Sequence, residues 1–164
     1  MTRIGVLSDT HAYLDERIFE HFNKCDEIWH AGDIGSMEVV QKLSSFKPLR
    51  AVHGNIDGGL IRSSYPQFLN FTCEKVSVLL THIGGYPGRY AKEVRQQLLA
   101  YKPDLFVCGH SHILKVQFDQ VFNTLCLNPG AAGLEGFHHV RTVLRFEIDG
   151  KNIQNLEVIE MPKH

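Results

Sequence analysis

The sequence predicts an α/β domain in which two mixed β-sheets pack together with helices outside. Three observations lead there. The first third of the chain alternates short apolar runs with helically spaced segments. The later part pairs such runs across tight turns. Turns rich in Asp, Asn and His stand just after several of the runs.

Taken in order, Arg3 to Ser8 is short, apolar and bounded by turn chemistry, as a buried strand should be. Asp15 to Lys24 places Ile18, Phe19 and Phe22 at helical spacing. Glu27 to Ala31 reads as a second strand, ended by Gly32. Met37 to Leu43 sets Met37, Val39, Val40 and Leu43 on one side of a helix, and Leu49 to Val52 is a third strand before Gly54. This alternation favours parallel strands joined by helices. Phe68 to Cys73 and Val76 to Thr81 flank Glu74-Lys75 and predict a hairpin. Tyr90 to Tyr101 predicts a helix stopped by Pro103, and Leu105 to Cys108 a buried strand. Lys115 to Phe118, Val121 to Asn123 and Leu125 to Leu127 read as short meander strands. Thr142 to Ile148 and Ile153 to Ile159 flank Asp149-Gly150, a dipeptide suited to a tight hairpin turn. No repeat or linker interrupts residues 1–164, so one domain is expected.

At 164 residues, 43% hydrophobic and 21% charged, the composition is that of an ordinary globular domain. The net charge of -1 offers no footprint for a nucleic-acid polymer or an anionic membrane. Met1 to Leu7 enters a strand directly, without an apolar leader, so a cytoplasmic location is expected. Cys25, Cys73, Cys108 and Cys126 are far apart in mostly apolar surroundings and should be reduced, structural thiols.

The chemistry sits in the turns. Ser8-Asp9-Thr10-His11, Gly32-Asp33, Gly54-Asn55, Thr81-His82 and Gly109-His110-Ser111-His112 each follow a strand-like run. They offer two carboxylates, one amide and four imidazoles, a donor set for two divalent metals and hence for phosphate-ester hydrolysis. Asp9 with His11, and His110 with His112, are two residues apart. In extended chain this puts their Cα atoms roughly 6.5 to 7 Å apart on one face. Mixed imidazole and carboxylate donors suit manganese, iron, zinc or nickel better than calcium. Two carboxylates against two divalent ions leave a positive surplus that attracts phosphate. The remaining histidines, His21, His30, His53, His138, His139 and His164, read as structural, with His30 and His53 the best placed near the site.

In this order the motifs D-x-H, G-D, G-N, H and G-H-x-H resemble those of the calcineurin-like metallophosphoesterase superfamily. The chain looks most like its small bacterial and archaeal phosphodiesterase branch, which includes the retromer subunit Vps29. The resemblance implies a four-layered α-β-β-α sandwich. It implies that Asp9, His11 and His112 hold one metal, that Asn55, His82 and His110 hold a second, and that Asp33 bridges them. Asn55 would also meet a substrate phosphate oxygen. A hydroxide shared by the metals, manganese first among them, would attack phosphorus in line. The expected substrate is a small phosphate ester, and exposed apolar faces imply self-association as in some relatives. The competing expectation is a protein-binding scaffold of the Vps29 type with a weak or silent metal site.

The chain departs from the superfamily pattern at three places. Many relatives continue Gly-Asn with His-Glu, whereas this chain reads Gly54-Asn55-Ile56-Asp57 and lacks that histidine as a leaving-group acid. This favours diesters, or esters with good leaving groups, over poor-leaving-group monoesters, because a missing general acid typically costs about 10²- to 10⁴-fold. Ile83-Gly84-Gly85 replaces a second histidine, and Asn128-Pro129-Gly130-Ala131 lacks a serine hydroxyl. Arg89 reads as a solvated loop charge.

Overall fold

Alternating side chains along the strands build two faces per sheet, and the burial of those faces sets the layers. The computed structural model describes residues 1–163. Its elements are β1 (Thr2–Leu7), α1 (Arg17–His21), β2 (Glu27–His30), α2 (Met37–Phe46), β3 (Leu49–Ala51), α3 (Gly59–Ser64), β4 (Phe68–Cys73) and β5 (Val76–Thr81). They continue with β6 (Gly85–Tyr86), β7 (Arg89–Tyr90), α4 (Lys92–Tyr101), β8 (Leu105–Val107), β9 (Lys115–Asp119), β10 (Thr124–Asn128), β11 (Val140–Asp149) and β12 (Asn152–Pro162).

The first five-stranded sheet has the order β12-β11-β1-β2-β3 and the second β4-β5-β8-β10-β9. In the first, β1, β2 and β3 run parallel at one side, and β11 and β12 add antiparallel pairings on the other. In the second, the central β5, β8 and β10 run parallel, and β4 and β9 add antiparallel at the two edges. Ile4, Val6, Trp29, Leu144 and Phe146 of the first sheet pack with Val78, Leu80, Leu105 and Val107 of the second in one buried cluster. The sheets therefore face each other. The alternate residues Leu7, Ile28 and Val143 point outward against Ile18 of α1 and Val39, Val40 and Leu43 of α2. Leu79 and Phe106 point the other way, against Val94 and Leu98 of α4. The result is the expected four-layered α-β-β-α sandwich. No helix is long and apolar enough to cross a membrane among the described residues. All four cysteines are free and buried, and burial pushes the Cys108 thiol up to about 12.

Several elements differ from expectation. The first helix is five residues, not ten. The Asp15 carboxylate accepts from the Arg17 backbone N–H and pairs with the Arg17 and Arg141 side chains, which holds the preceding chain in a turn. Val121 to Asn123 is a turn, not a strand. Asp119 Oδ1 accepts from the N–H of Val121 at 2.8 Å, and Asn123 has φ 52°, so the chain reverses directly from β9 into β10. The helix α3 and the β6–β7 hairpin were not expected. α3 opens on Gly58-Gly59 and ends in Ser63-Ser64, a poor helical composition. The hairpin strands have two residues each around Pro87-Gly88, too short for periodicity, although Pro-Gly with φ 89° at Gly88 is itself a turn signal.

Candidate metal centre

The turns that leave β1, β2, β5 and β8 meet across the two sheets. Asp9 N–H donates to Gly32 O, His11 N–H to Asp33 O and Gly109 N–H to His82 O. Five of the seven candidate ligands, Asp9, His11, Asp33, His110 and His112, have positive φ, between 46° and 71°. Each such residue costs about 1–3 kcal/mol. Asp and His tolerate this region better than most side chains, and such outliers gather where a site must be held in one geometry. The glycines ahead of Asp33, Asn55 and His110 allow close approach. A Cβ at Gly32 would strike the His82 ring, at Gly54 the Asp33 carboxylate, and at Gly109 Ser8 and Asp9.

Two donor clusters result, Asp9 with His11 and His112, and Asp33 with His82 and His110. Each carboxylate anchors one oxygen and leaves the other to the site. Asp9 Oδ2 accepts from Ser8 Oγ at 2.7 Å and from His110 N–H at 3.1 Å. Its Oδ1 faces the Nε2 atoms of His112, His11 and His82 at 3.2, 3.7 and 3.8 Å. Asp33 Oδ1 accepts from Ile56 N–H at 3.1 Å. Its Oδ2 lies 3.1 Å from His82 Nε2 and 3.5 Å from His11 Nε2, so it reaches both clusters. The rings within each cluster stand edge to face, His11 on His112 at 5.6 Å and His82 on His110 at 5.2 Å. Asn55 occupies the exposed turn after Gly54 and lines a depression with His82.

The fit to a metal can be judged from these atoms. His82 Nδ1 donates to Ala31 O at 2.7 Å, which leaves the Nε2 lone pair pointing at the carboxylates. Despite their proximity to Asp9 and Asp33, the buried Nε2 atoms of His11 and His82 make no hydrogen bond. Lone pairs converging with carboxylate oxygens need a cation between them, either protons or metals. Protons leave their mark on the electrostatics without metals. The facing Asp9 carboxylate raises the His11 pKa despite burial. For His82, burial opposes protonation, but the adjacent carboxylates of Asp33 and Asp9 outweigh it. Burial would likewise raise Asp9, yet its contacts with His11 and His112 hold it well below the usual carboxylate range.

The other sequence candidates sort clearly. His30 is fully buried and accepts at Nδ1 from Gly32 N–H. Thr10 Oγ1 donates to Ile34 O, so His30 Nε2 donates to Thr10, which makes His30 a neutral brace beneath the site. His53 Nδ1 donates to Tyr65 O, and His21 and His139 lie outside both clusters; His164 lies outside the described residues. Ile56 is 49% exposed, and its side chain has no proton to donate. Asp57 does not serve as one either: its two oxygens accept from the N–H groups of Ile34, Gly35 and Gly54. Ala131 is fully buried. Arg89 is exposed, as expected of a solvated charge, but it lies in the two-residue β7 and lines a cleft beside His110.

Sequence reasoning also missed His138 as a neighbour of the site. Its ring stands 5.3 Å from that of His112, and its buried Nδ1 has no partner. It comes from the irregular 129–139 segment, where no spacing signals it. A larger cavity, about 720 Å³, includes Arg3, Arg145, Glu147 and Glu157. Its Arg3–Glu147 and Arg145–Glu157 pairs neutralise one another, and it holds none of the cluster residues.

Paired sheets carrying two His/Asp clusters at the strand exits define the metallophosphoesterase class of α/β proteins. Residues 2–151 match the model of the calcineurin-like phosphoesterase superfamily domain, and the chain belongs to that superfamily. It is 28% identical over 155 residues to a probable metallophosphoesterase of Methanothermobacter thermautotrophicus, covering 92% of this chain and 88% of that one. Among solved structures, it is similar to a novel archaeal phosphodiesterase, with a TM-score of 0.79, 20% identity and coverage of 97% and 99% of the two chains. It is also similar to Vps29 of Chaetomium thermophilum, with a TM-score of 0.75, 16% identity and coverage of 98% and 97%. At these identities the two structures speak for the fold.

Proposed function

We propose that the protein hydrolyses small phosphodiesters at a centre for two divalent metals. Asp9, His11 and His112 would hold one ion, and Asn55, His82 and His110 the other, with Asp33 shared. Manganese is the first choice, with iron, zinc or nickel as alternatives. The observation that carries this reading is the pair of unpartnered, buried Nε2 atoms of His11 and His82 converging on Asp9 and Asp33. Bound ions would supply Lewis acidity towards a phosphoryl oxygen and activate a water for in-line attack.

The chain's own groups do the rest. Ser8 and the His110 N–H orient Asp9, the Ile56 N–H orients Asp33, and the Ala31 carbonyl fixes the His82 ring. Asn55, in the exposed turn beside His82, would present its amide to a phosphate oxygen. With Ile56 after it, no side chain there supplies a proton to the departing oxygen. This favours diesters with stable leaving groups over monoesters of alkyl alcohols.

The test is hydrolysis of bis(p-nitrophenyl) phosphate during manganese titration, with Asp33→Asn as the control. Turnover should require metal and fall by about 100-fold or more in the variant. Activity that survives both a chelator and Asp33→Asn would reject the assignment. Metal binding without turnover would point instead to the scaffold role.

A further inference from the structure

A cleft of about 620 Å³ opens beside the second cluster and shares His110 with it. This volume suits a small molecule. Ile83, Tyr86 and Ile113 line it and are 46%, 42% and 64% exposed, so apolar surface gathers at the edge of a polar centre. Arg89 and Lys115 line it too, and no carboxylate does. Among the described residues neither cation forms an ion pair, unlike Arg3 and Arg145 of the larger cavity. Lys115 Nζ instead lies 4.6 Å from the Tyr86 ring centre. The wall is held in place: Tyr90 Oη donates to Asp119 Oδ2 at 2.5 Å, and Ala91 N–H donates to Gly84 O.

An apolar wall with an aromatic ring suits a flat ring, and two cations without ion-pair partners suit an anion. We infer that this cleft takes one esterified half of the diester substrate, and that this half carries a planar ring and a second anionic group, as a nucleotide with its own terminal phosphate does. The inference rests on the phosphodiesterase reading of the adjacent clusters. It adds what lies beyond the scissile phosphate.

Three diesters that expel the same p-nitrophenolate test it: methyl p-nitrophenyl phosphate, thymidine 5′-(p-nitrophenyl phosphate), and the latter with a 3′-phosphate. The thymidine ring should raise kcat/KM about tenfold over methyl, and the 3′-phosphate should raise it about tenfold again. Tyr86→Ala should shrink the first ratio, and the Arg89→Gln/Lys115→Gln pair should bring the second close to one. Because each ratio is taken within one protein, general damage to a variant cancels. Equal kcat/KM for all three substrates, or ratios that survive the substitutions, would overturn the inference.

Binding gives an independent reading. Calorimetric titrations in a chelator should show thymidine 3′,5′-bisphosphate binding about tenfold more tightly than thymidine 5′-phosphate, a preference lost in the Arg89→Gln/Lys115→Gln variant. If no diester is hydrolysed, the phosphodiesterase reading fails while this titration still decides the cleft. Equal affinities would reject it.

Discussion

His30 shows how much a single buried ring can contribute without touching a substrate. Burial lowers its pKa from 6.5 to about 4. The unfolded chain therefore takes up this proton first as pH falls. The stabilisation is complete above pH 6.5 and is lost between 6.5 and about 4, for a total of about 3 kcal/mol. Denaturant titrations of the metal-free protein across this range should show that slope, and His30→Gln should remove it. An unchanged slope would mean that other groups carry it. Ile56 lies at the opposite extreme, exposed, with only its backbone N–H committed to Asp33. Ile56→His should therefore raise turnover of poor-leaving-group monoesters, by up to about 10²-fold. Unchanged monoester kinetics would show that leaving-group protonation does not limit turnover.

At the scale of elements, the turns matter more than the strands they end. Asp57 joins the turn after β2 to the turn after β3, accepting three N–H groups at 2.8 to 3.1 Å. Leaving buried N–H groups unpaired costs about 1–3 kcal/mol each. Asp57→Ala should lower the melting temperature and weaken manganese binding about 10- to 100-fold, because Asp33 would lose its platform. Calorimetric manganese affinity equal to wild type would exclude this clamp. The β2 and β5 strands were legible because Trp29 and Val78 alternate with outward Ile28 and Leu79. The β6–β7 hairpin was not, since two-residue strands carry no period, and with it the cleft wall at Tyr86 and Arg89 went unseen.

For the whole molecule, the core and the site are separate. The inter-sheet cluster around Trp29 and Phe146 contains none of the candidate ligands. Removing metal should leave the fold intact. Adding manganese at 100 times its dissociation constant should stabilise the protein by about 2.7 kcal/mol. Circular dichroism melts with manganese and with a chelator check both statements. Loss of secondary structure in the chelator would show that the metals are structural.

Residue types and strand periodicity by themselves determined the two-sheet layering and the order of the turns that carry the candidate ligands, because burial imposes a period and metal chemistry restricts the donors. The ligand groupings came from resemblance to a family. Only the tertiary structure decided which oxygen of Asp9 and Asp33 is free, that His30 braces and His138 flanks the site, and that Arg89 joins Lys115 in a cleft. Those facts depend on contacts between residues such as Asp9 and His110, 101 positions apart, for which local sequence has no signal.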